Sequence, residues 1–471
     1  MPNGDATASA AAEPVGARVR MYQVGFGDCF LLSFEYPQEL DDGRDERHVL
    51  FDFGSTRGAR SAELAEIAEL IRDHCNGQLD AIVATHRHAD HLSGFGTAAA
   101  ADIIDGLSPR LVVRSWTEDP AAPADATVPS DLDQDSRQFA AALAQSQVFA
   151  ARLGEVVRAD RGLRGNLARL AVGQLTNRAA VERLNGWAAN AKGSYVHFGS
   201  DCGLEDVVPG ITVRVLGPPT LQQAPLVAGQ RAEDPEFWIT HQRVLARALA
   251  DGEVRASLGR AETGNGAAAE TADANGDGGA VPMAGGEPLG PVRWLVERMR
   301  TQHVASLLRI VRILDDALNN TSVILSIEAG DKRMLFCGDA QIENWSFALK
   351  DAEDSEQIRE WLANVDLYKV GHHGSRNATP RSLHRLWVDE RDHGRPLVAM
   401  MSTMPGVHGE TPATAVPKQT LLDALGRCGP LYATNLLRTE SRFVEVVAPL
   451  SGGHEFTPVH GEEAAEPSVP A

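Results

Sequence analysis

Between Ala84 and Gly94 the chain reads ATHRHADHLSG, and His86, His88, Asp90 and His91 place three imidazoles and a carboxylate within six residues. The run before it, LDAIVA from Leu79 to Ala84, is short, apolar and β-branched, the pattern of a buried strand. The donor side chains therefore begin where a strand ends. At strand spacing His86 and His88 point the same way, which suits two neutral imidazoles converging on one cation. After a turn, Asp90 and His91 are placed to reach a second cation a few ångströms away. Imidazole with carboxylate suits zinc first, with manganese or iron also compatible. The competing reading is a surface turn that happens to be rich in histidine, and the strand in front weighs against it.

Composition narrows the rest. With 471 residues the chain has ample length for a core. A formal net charge of −20 argues against broad, non-specific adhesion to nucleic acid or to an anionic membrane, and leaves room for a local basic groove. The five cysteines (Cys29, Cys75, Cys202, Cys337, Cys428) are odd in number and contain no C-x-x-C pair. They read as free thiols in a reducing compartment rather than as a disulfide framework. Residues 1–17 lack a basic segment followed by an apolar core, and no stretch approaches the roughly 18 apolar residues of a membrane span. The expectation is a cytoplasmic protein without a membrane span.

Taken in order, residues 1–17 are expected to be a disordered leader. The stretch RVRMYQVGFGDCFLLSFEY from Arg18 holds two strand-like runs broken at Gly25-Phe26-Gly27-Asp28, and HVLFDF from His48 makes a third. Leu64, Ile67, Ile71 and Cys75 then share one helical face. Residues 111–318 read as a mainly helical insertion, with Leu163, Leu167 and Leu170 at helical spacing, a return strand at GITVRVLGPP from Gly210, a flexible Gly/Ala-rich loop near 261–290, and a long helix from Pro291. Such an insertion is expected to shape substrate access or to offer a surface to a protein partner, the competing reading being a purely structural or oligomerising cap. Arg158, Arg161, Arg164 and Arg169 lie close together within it, most simply as a solvated helix face. From Asn319 a strand, a Gly-Asp turn and a second strand run to Phe336-Cys337-Gly338-Asp339, followed by the strand VDLYKV and Gly371-His372-His373-Gly374-Ser375. Residues 319–450 complete the second half, and 451–471 read as a disordered tail.

His-x-His-x-Asp-His after a strand, a hairpin ending in Gly-Asp, and Lys-Val-Gly-His-His-Gly-Ser about thirty residues later together resemble the metallo-β-lactamase superfamily. They resemble in particular its branch with the hydrolase domain of competence DNA-uptake channels and phosphorylcholine esterases. The resemblance covers about Arg18 to Phe95 and Asn319 to Val447. It implies an α/β fold, an αββα metallo-β-lactamase sandwich whose first half is residues 18–110. It implies two divalent metal ions held by His86, His88, Asp90, His91, Asp339 and His408, with Asp339 bridging. Asp52, His373 and Ser375 would support the ligands, and His372 would face the substrate. A further histidine found in many superfamily members has no convincing counterpart among His197, His241 and His303, so the first metal would be held by His86, His88, Asp339 and water.

The chemistry implied is hydrolysis, with Asp90 orienting a metal-activated hydroxide and His372 donating to the leaving oxygen. A small-molecule or short nucleic-acid phosphodiester is the expected substrate. Hydrolysis of a carboxylic ester, lactone or amide is the alternative the same metal pair permits. A binding or assembly module with a residual metal site is a third reading, disfavoured by the intact donor set.

Overall fold

The computed structural model describes residues 12–58, 61–120, 177–225, 318–391, 394–407, 415–437 and 441–459. All of them belong to a unit formed by Met1–Trp238 and Val311–Ala471, and a second unit, Ile239–Ile310, lies outside the described residues. So do the Gly/Ala-rich loop, nearly all of the helix read from Pro291, the clustered arginines at 158–169, and His408.

The strands are β1 (Gly16–Tyr22), β2 (Gly25–Phe26), β3 (Cys29–Glu35), β4 (Glu46–Phe53), β5 (Arg57–Gly58), β6 (Ala81–Ala84), β7 (Leu111–Ser115), β8 (Lys192–Val196), β9 (Ile211–Gly217), β10 (Ile324–Ala329), β11 (Lys332–Phe336), β12 (Leu367–Lys369), β13 (Val398–Met401), β14 (Leu431–Ala433), β15 (Phe443–Pro449) and β16 (Thr457–Pro458). They make an eight-stranded sheet in the order β16-β15-β1-β3-β4-β6-β7-β8 and a six-stranded sheet in the order β14-β13-β12-β11-β10-β9, with β2 and β5 paired apart. Both sheets are mixed. In the first, β4, β6, β7 and β8 run parallel to one another, and in the second β11 to β14 do. The fold is therefore α/β with two mixed sheets.

Alternation along the strands explains the two cores. Phe30, Leu32 and Phe34 of β3 face one side and join Met334, Phe336, Leu367, Val398 and Met400 from the six-stranded sheet in one shared cluster. Cys29 and Leu31 face the other side, where they meet Leu64, Ile67 and Ile71 of helix α1 (Ser61–His74) and Leu92 and Phe95 of α2 (Ala89–Gly96). Each such buried aliphatic contributes roughly 1.5–3 kcal/mol relative to exposure. Helices α3 (Ala98–Gly106) and α4 (Arg178–Asn190) complete this layer through Ile104 and Leu184.

The sheets extend beyond the expected boundaries. β7, β8 and β9 lie within residues 111–318, so that stretch contributes strands to both sheets besides α4. β8 reads KGSYV, a largely exposed edge strand with too little apolar alternation to declare itself. β1 begins at Gly16, inside the expected leader, and β16 pairs with β15 inside the expected tail, because each finds a partner edge. None of the five cysteines is disulfide-bonded. No helix among the described residues is long and apolar enough to cross a membrane.

Candidate metal centre

Ligands in α/β folds gather at the carboxyl ends of parallel strands, where successive loops open outward. Four such ends converge here. His86 and His88 follow β6, Asp339 follows β11, His372 and His373 follow β12, and Ser402 follows β13. The spacing of this candidate metal loop has a local cause. His88 is extended (φ −61°, ψ 153°) and caps α2, so His86 and His88 leave on the strand while Asp90 and His91 sit in the first helical turn. The helix N-terminus also favours the Asp90 carboxylate.

This loop is seated by close backbone packing. A Cβ on Gly54 would meet the Ala89 carbonyl oxygen at 2.5 Å and the carbonyl carbons of Asp90 and His91 at 2.6 Å, so only glycine fits between β4 and α2. At the end of β11, Gly338 takes a left-handed φ of +49° with Thr85 against its α-carbon.

The donor atoms meet in a buried group. Asp90, His91, Asp339 and His373 each offer one donor atom, and these four atoms lie within 4.8 Å of one another, every residue at most 4 % exposed. His373 Nε2 is 3.2 Å from Asp90 Oδ2 and 3.7 Å from Asp339 Oδ2, and His91 Nε2 is 3.2 Å from Asp339 Oδ2. His86 and His88 stand beside the group, with His86 Nε2 3.0 Å from His88 Nδ1 and the His86 and His91 rings 4.1 Å apart. Asp90 Oδ1 is buried with no hydrogen-bond partner. An orphaned carboxylate oxygen costs desolvation energy unless something absent from the protein chain meets it. Donor chemistry and the orphan oxygen both fit a divalent cation.

Behind these groups stand oriented supports. The Asp52 carboxylate accepts the Thr85 backbone N–H at 2.8 Å and its hydroxyl at 2.7 Å, and Asp52 Oδ2 lies 2.8 Å from His91 Nδ1. His373 Nδ1 donates to the Ser402 carbonyl at 3.0 Å and lies 3.5 Å from Asp28. The Asp339 backbone N–H donates to Ser322 Oγ, and the His372 N–H donates to Asp339 Oδ1 at 3.0 Å. Carboxylate and carbonyl partners of this kind set the ring orientation of ligating histidines. Asp52, His372 and His373 hold φ of 54°, 44° and 51°, a left-handed conformation that non-glycine residues rarely adopt and that clusters at functional sites.

The electrostatics are tightly coupled. Burial works against the charge of Asp339, yet His91, His373 and His372 hold its carboxyl well below the ordinary carboxylate range. Burial likewise opposes charge on His91, and Asp339 and Asp52 nonetheless push it well above the usual imidazole value. Burial, with the neighbouring imidazoles of His91 and His88, drives His86 the other way. Four carboxylates and several imidazoles in a dry volume thus balance charge among themselves, which is the environment a cation would replace.

Of the residues singled out from the sequence, the structure brings together His86, His88, Asp90, His91, Asp339 and Asp52. His373, expected as a hydrogen-bonded support, does bond Ser402 but also turns its Nε2 into the donor group. The His372 side chain is half-buried, and this residue meets the group through its backbone. Ser375 is buried and donates to Asn377 Oδ1 at 2.7 Å. His197 bonds the Phe198 carbonyl and is not in the donor group. His408, His241 and His303 lie outside the described residues.

Two pairings had not been anticipated. Glu118, buried after β7, accepts from Arg87 Nε at 2.7 Å and from Arg114 Nη2 at 2.7 Å, tying the metal loop to the next strand. Lys369, buried at the end of β12, contacts the Asp28 carboxylate. A lone lysine in the apolar run VDLYKV was the available signal, since a buried lysine needs a partner. Comparison with known proteins adds no relative: no family model matches this chain, and no curated protein matches it.

Proposed function

We propose that this chain is a metal-dependent hydrolase of the metallo-β-lactamase type, an αββα sandwich acting as a phosphodiesterase. The observation that carries this reading is the buried donor group of Asp90, His91, Asp339 and His373, with an orphaned oxygen on Asp90, at the convergent ends of parallel strands of two sheets. Asp90, His91, Asp339 and His373 would hold one divalent ion, and His86, His88 and Asp339 a second, zinc being the first choice and manganese or iron the others. Such ions, when bound, lower the pKa of water and neutralise charge on the group under attack.

The chain's own residues supply the rest. Asp52 orients the His91 ring and Ser402 that of His373, so the donor atoms are pre-placed. His372, whose backbone N–H donates to Asp339 Oδ1, would be the group that gives a proton to a leaving oxygen. Arg87 and Arg114 both bond the buried Glu118 carboxylate, which holds the loop carrying His86 and His88 against β7. The acidic balance of the whole chain favours a small or short phosphodiester over a long duplex.

Turnover of bis(p-nitrophenyl) phosphate by zinc- or manganese-loaded protein, lost in Asp339→Ala, is the expected result. Clear turnover of p-nitrophenyl esters or lactones with none of the phosphodiester would replace this reading with carboxylic ester hydrolysis.

A further inference from the structure

The two sheets each carry half of the donor group. His86, His88, Asp90 and His91 come from the eight-stranded sheet and its following helix, while Asp339 and His373 come from the six-stranded sheet. Their relative placement therefore depends on what joins the sheets at this end. Asp28 precedes β3 of the first sheet, and Lys369 ends β12 of the second. Lys369 Nζ contacts the Asp28 carboxylate, donates to the Gly338 carbonyl at 2.9 Å, and lies 3.9 Å from Asp339 Oδ1.

Asp28 is tied in by its backbone as well. Its N–H donates to the Asp90 carbonyl at 2.8 Å and its carbonyl accepts from Gly54 at 3.0 Å. Its carboxylate also stands 3.5 Å from His373 Nδ1 and 3.7 Å from His91 Nδ1. One residue thus touches the metal loop, the Asp52 strand end and the His373 turn. Among the described residues, Lys369 is the one lysine or arginine in ion-pair contact with any of Asp28, Asp52, Asp90 and Asp339.

We propose that the Asp28–Lys369 pair is a buried electrostatic staple between the two sheets, a pair of positioning residues that keeps the half-sites assembled when no metal is bound. The physical reason is charge. Four carboxylates crowd one dry volume, and an ammonium fixed between Asp28 and Asp339 offsets part of their repulsion before any cation arrives. Once divalent ions are bound, their charge takes over much of that role, so the staple matters most to the metal-free protein. This inference takes from the proposed function only that the cluster binds a divalent ion, and it is independent of the substrate.

The test is a double-mutant cycle on the full chain, Asp28→Asn, Lys369→Met and the double variant, read by thermal unfolding after chelation and again with zinc. Each single variant leaves one buried charge uncompensated and is expected to melt roughly 5–10 °C below wild type without metal. The double variant is expected to recover at least half of that loss, and zinc to narrow the single-variant deficit by at least half. Losses that simply add in the double variant overturn the staple, as do single-variant losses of equal size with and without zinc. If a single variant is recovered only unfolded, the double variant decides: folded protein supports the pair, and an equally unfolded double variant contradicts it. If wild type takes up no zinc at all, the metal reading fails, while the cycle in the metal-free protein still decides the staple.

Discussion

Asp52 Oδ2 lies 2.8 Å from His91 Nδ1, while the opposite nitrogen of the same ring, Nε2, stands 3.2 Å from Asp339 Oδ2. The ring is thus held between a supporting carboxylate on β4 and a donor carboxylate after β11, one from each sheet. Thr85 fixes the supporting side with two hydrogen bonds to Asp52, so the imidazole has little freedom to turn.

Removing that support while keeping its shape isolates its contribution. Asp52→Asn is expected to weaken zinc affinity by about 10–100-fold, the usual effect of losing a ligand's outer partner. Competition titration against a chromophoric chelator reads it, and an affinity within threefold of wild type would remove Asp52 from the account.

The two adjacent histidines after β12 are expected to separate cleanly. His373→Ala takes away a donor nitrogen and is predicted to lower bound metal. His372→Ala is predicted to retain metal and reduce kcat by about 10²-fold or more, as for loss of a general acid. Metal content and single-turnover rates on the same preparations test both, and the reverse pattern would exchange their roles.

Much of this site was legible in the sequence, and the reasons for what was not are specific. The metal loop declares itself because strand, extended residue and helix start follow one another within a few positions, so periodicity places all four side chains. The Gly338-Asp339 turn is similarly local. Which ring of His372-His373 turns inward depends on left-handed φ at both, a conformation that residue type does not signal. Asp28 and Lys369 meet only because two distant strands from different sheets end side by side. β8 is not marked in the sequence because an exposed edge strand carries little hydrophobic pattern.

Backbone contact at Gly54 makes a stability prediction. Gly54→Ala drives a methyl into the carbonyls of Ala89 to His91, which cannot yield without moving the metal loop. A loss of about 1–3 kcal/mol or more is expected, as for other overpacked sites, together with reduced metal uptake. Denaturant unfolding measures the first, and unchanged stability would mean that the loop shifts freely.

Acid sensitivity has a source away from the metal centre. Burial first, and then Arg20, Arg44 and Arg47, push the His48 imidazole down to about 3, and its Nδ1 pairs with Ser33 Oγ at 2.9 Å. A neutral folded-state histidine means that the unfolded chain binds the extra proton below its ordinary value of 6.5. Stability from this group is therefore complete above about pH 6.5 and is lost as pH falls toward 3, by up to about 5 kcal/mol. His74, lowered to about 4 chiefly by burial, adds a smaller slope of the same sign. His48→Gln is predicted to flatten the pH dependence of unfolding between pH 6 and 4, and an unchanged slope would assign acid sensitivity elsewhere.

The most direct test of the metal centre is metal content by plasma emission spectrometry on protein purified without chelator, compared with His88→Ala and Asp339→Ala. About two divalent ions per chain in the wild type is the predicted result, with fewer in His88→Ala and fewest in Asp339→Ala, whose carboxylate would serve both proposed positions. Folded wild-type protein that holds no stoichiometric metal, even after loading with zinc or manganese, would contradict the account.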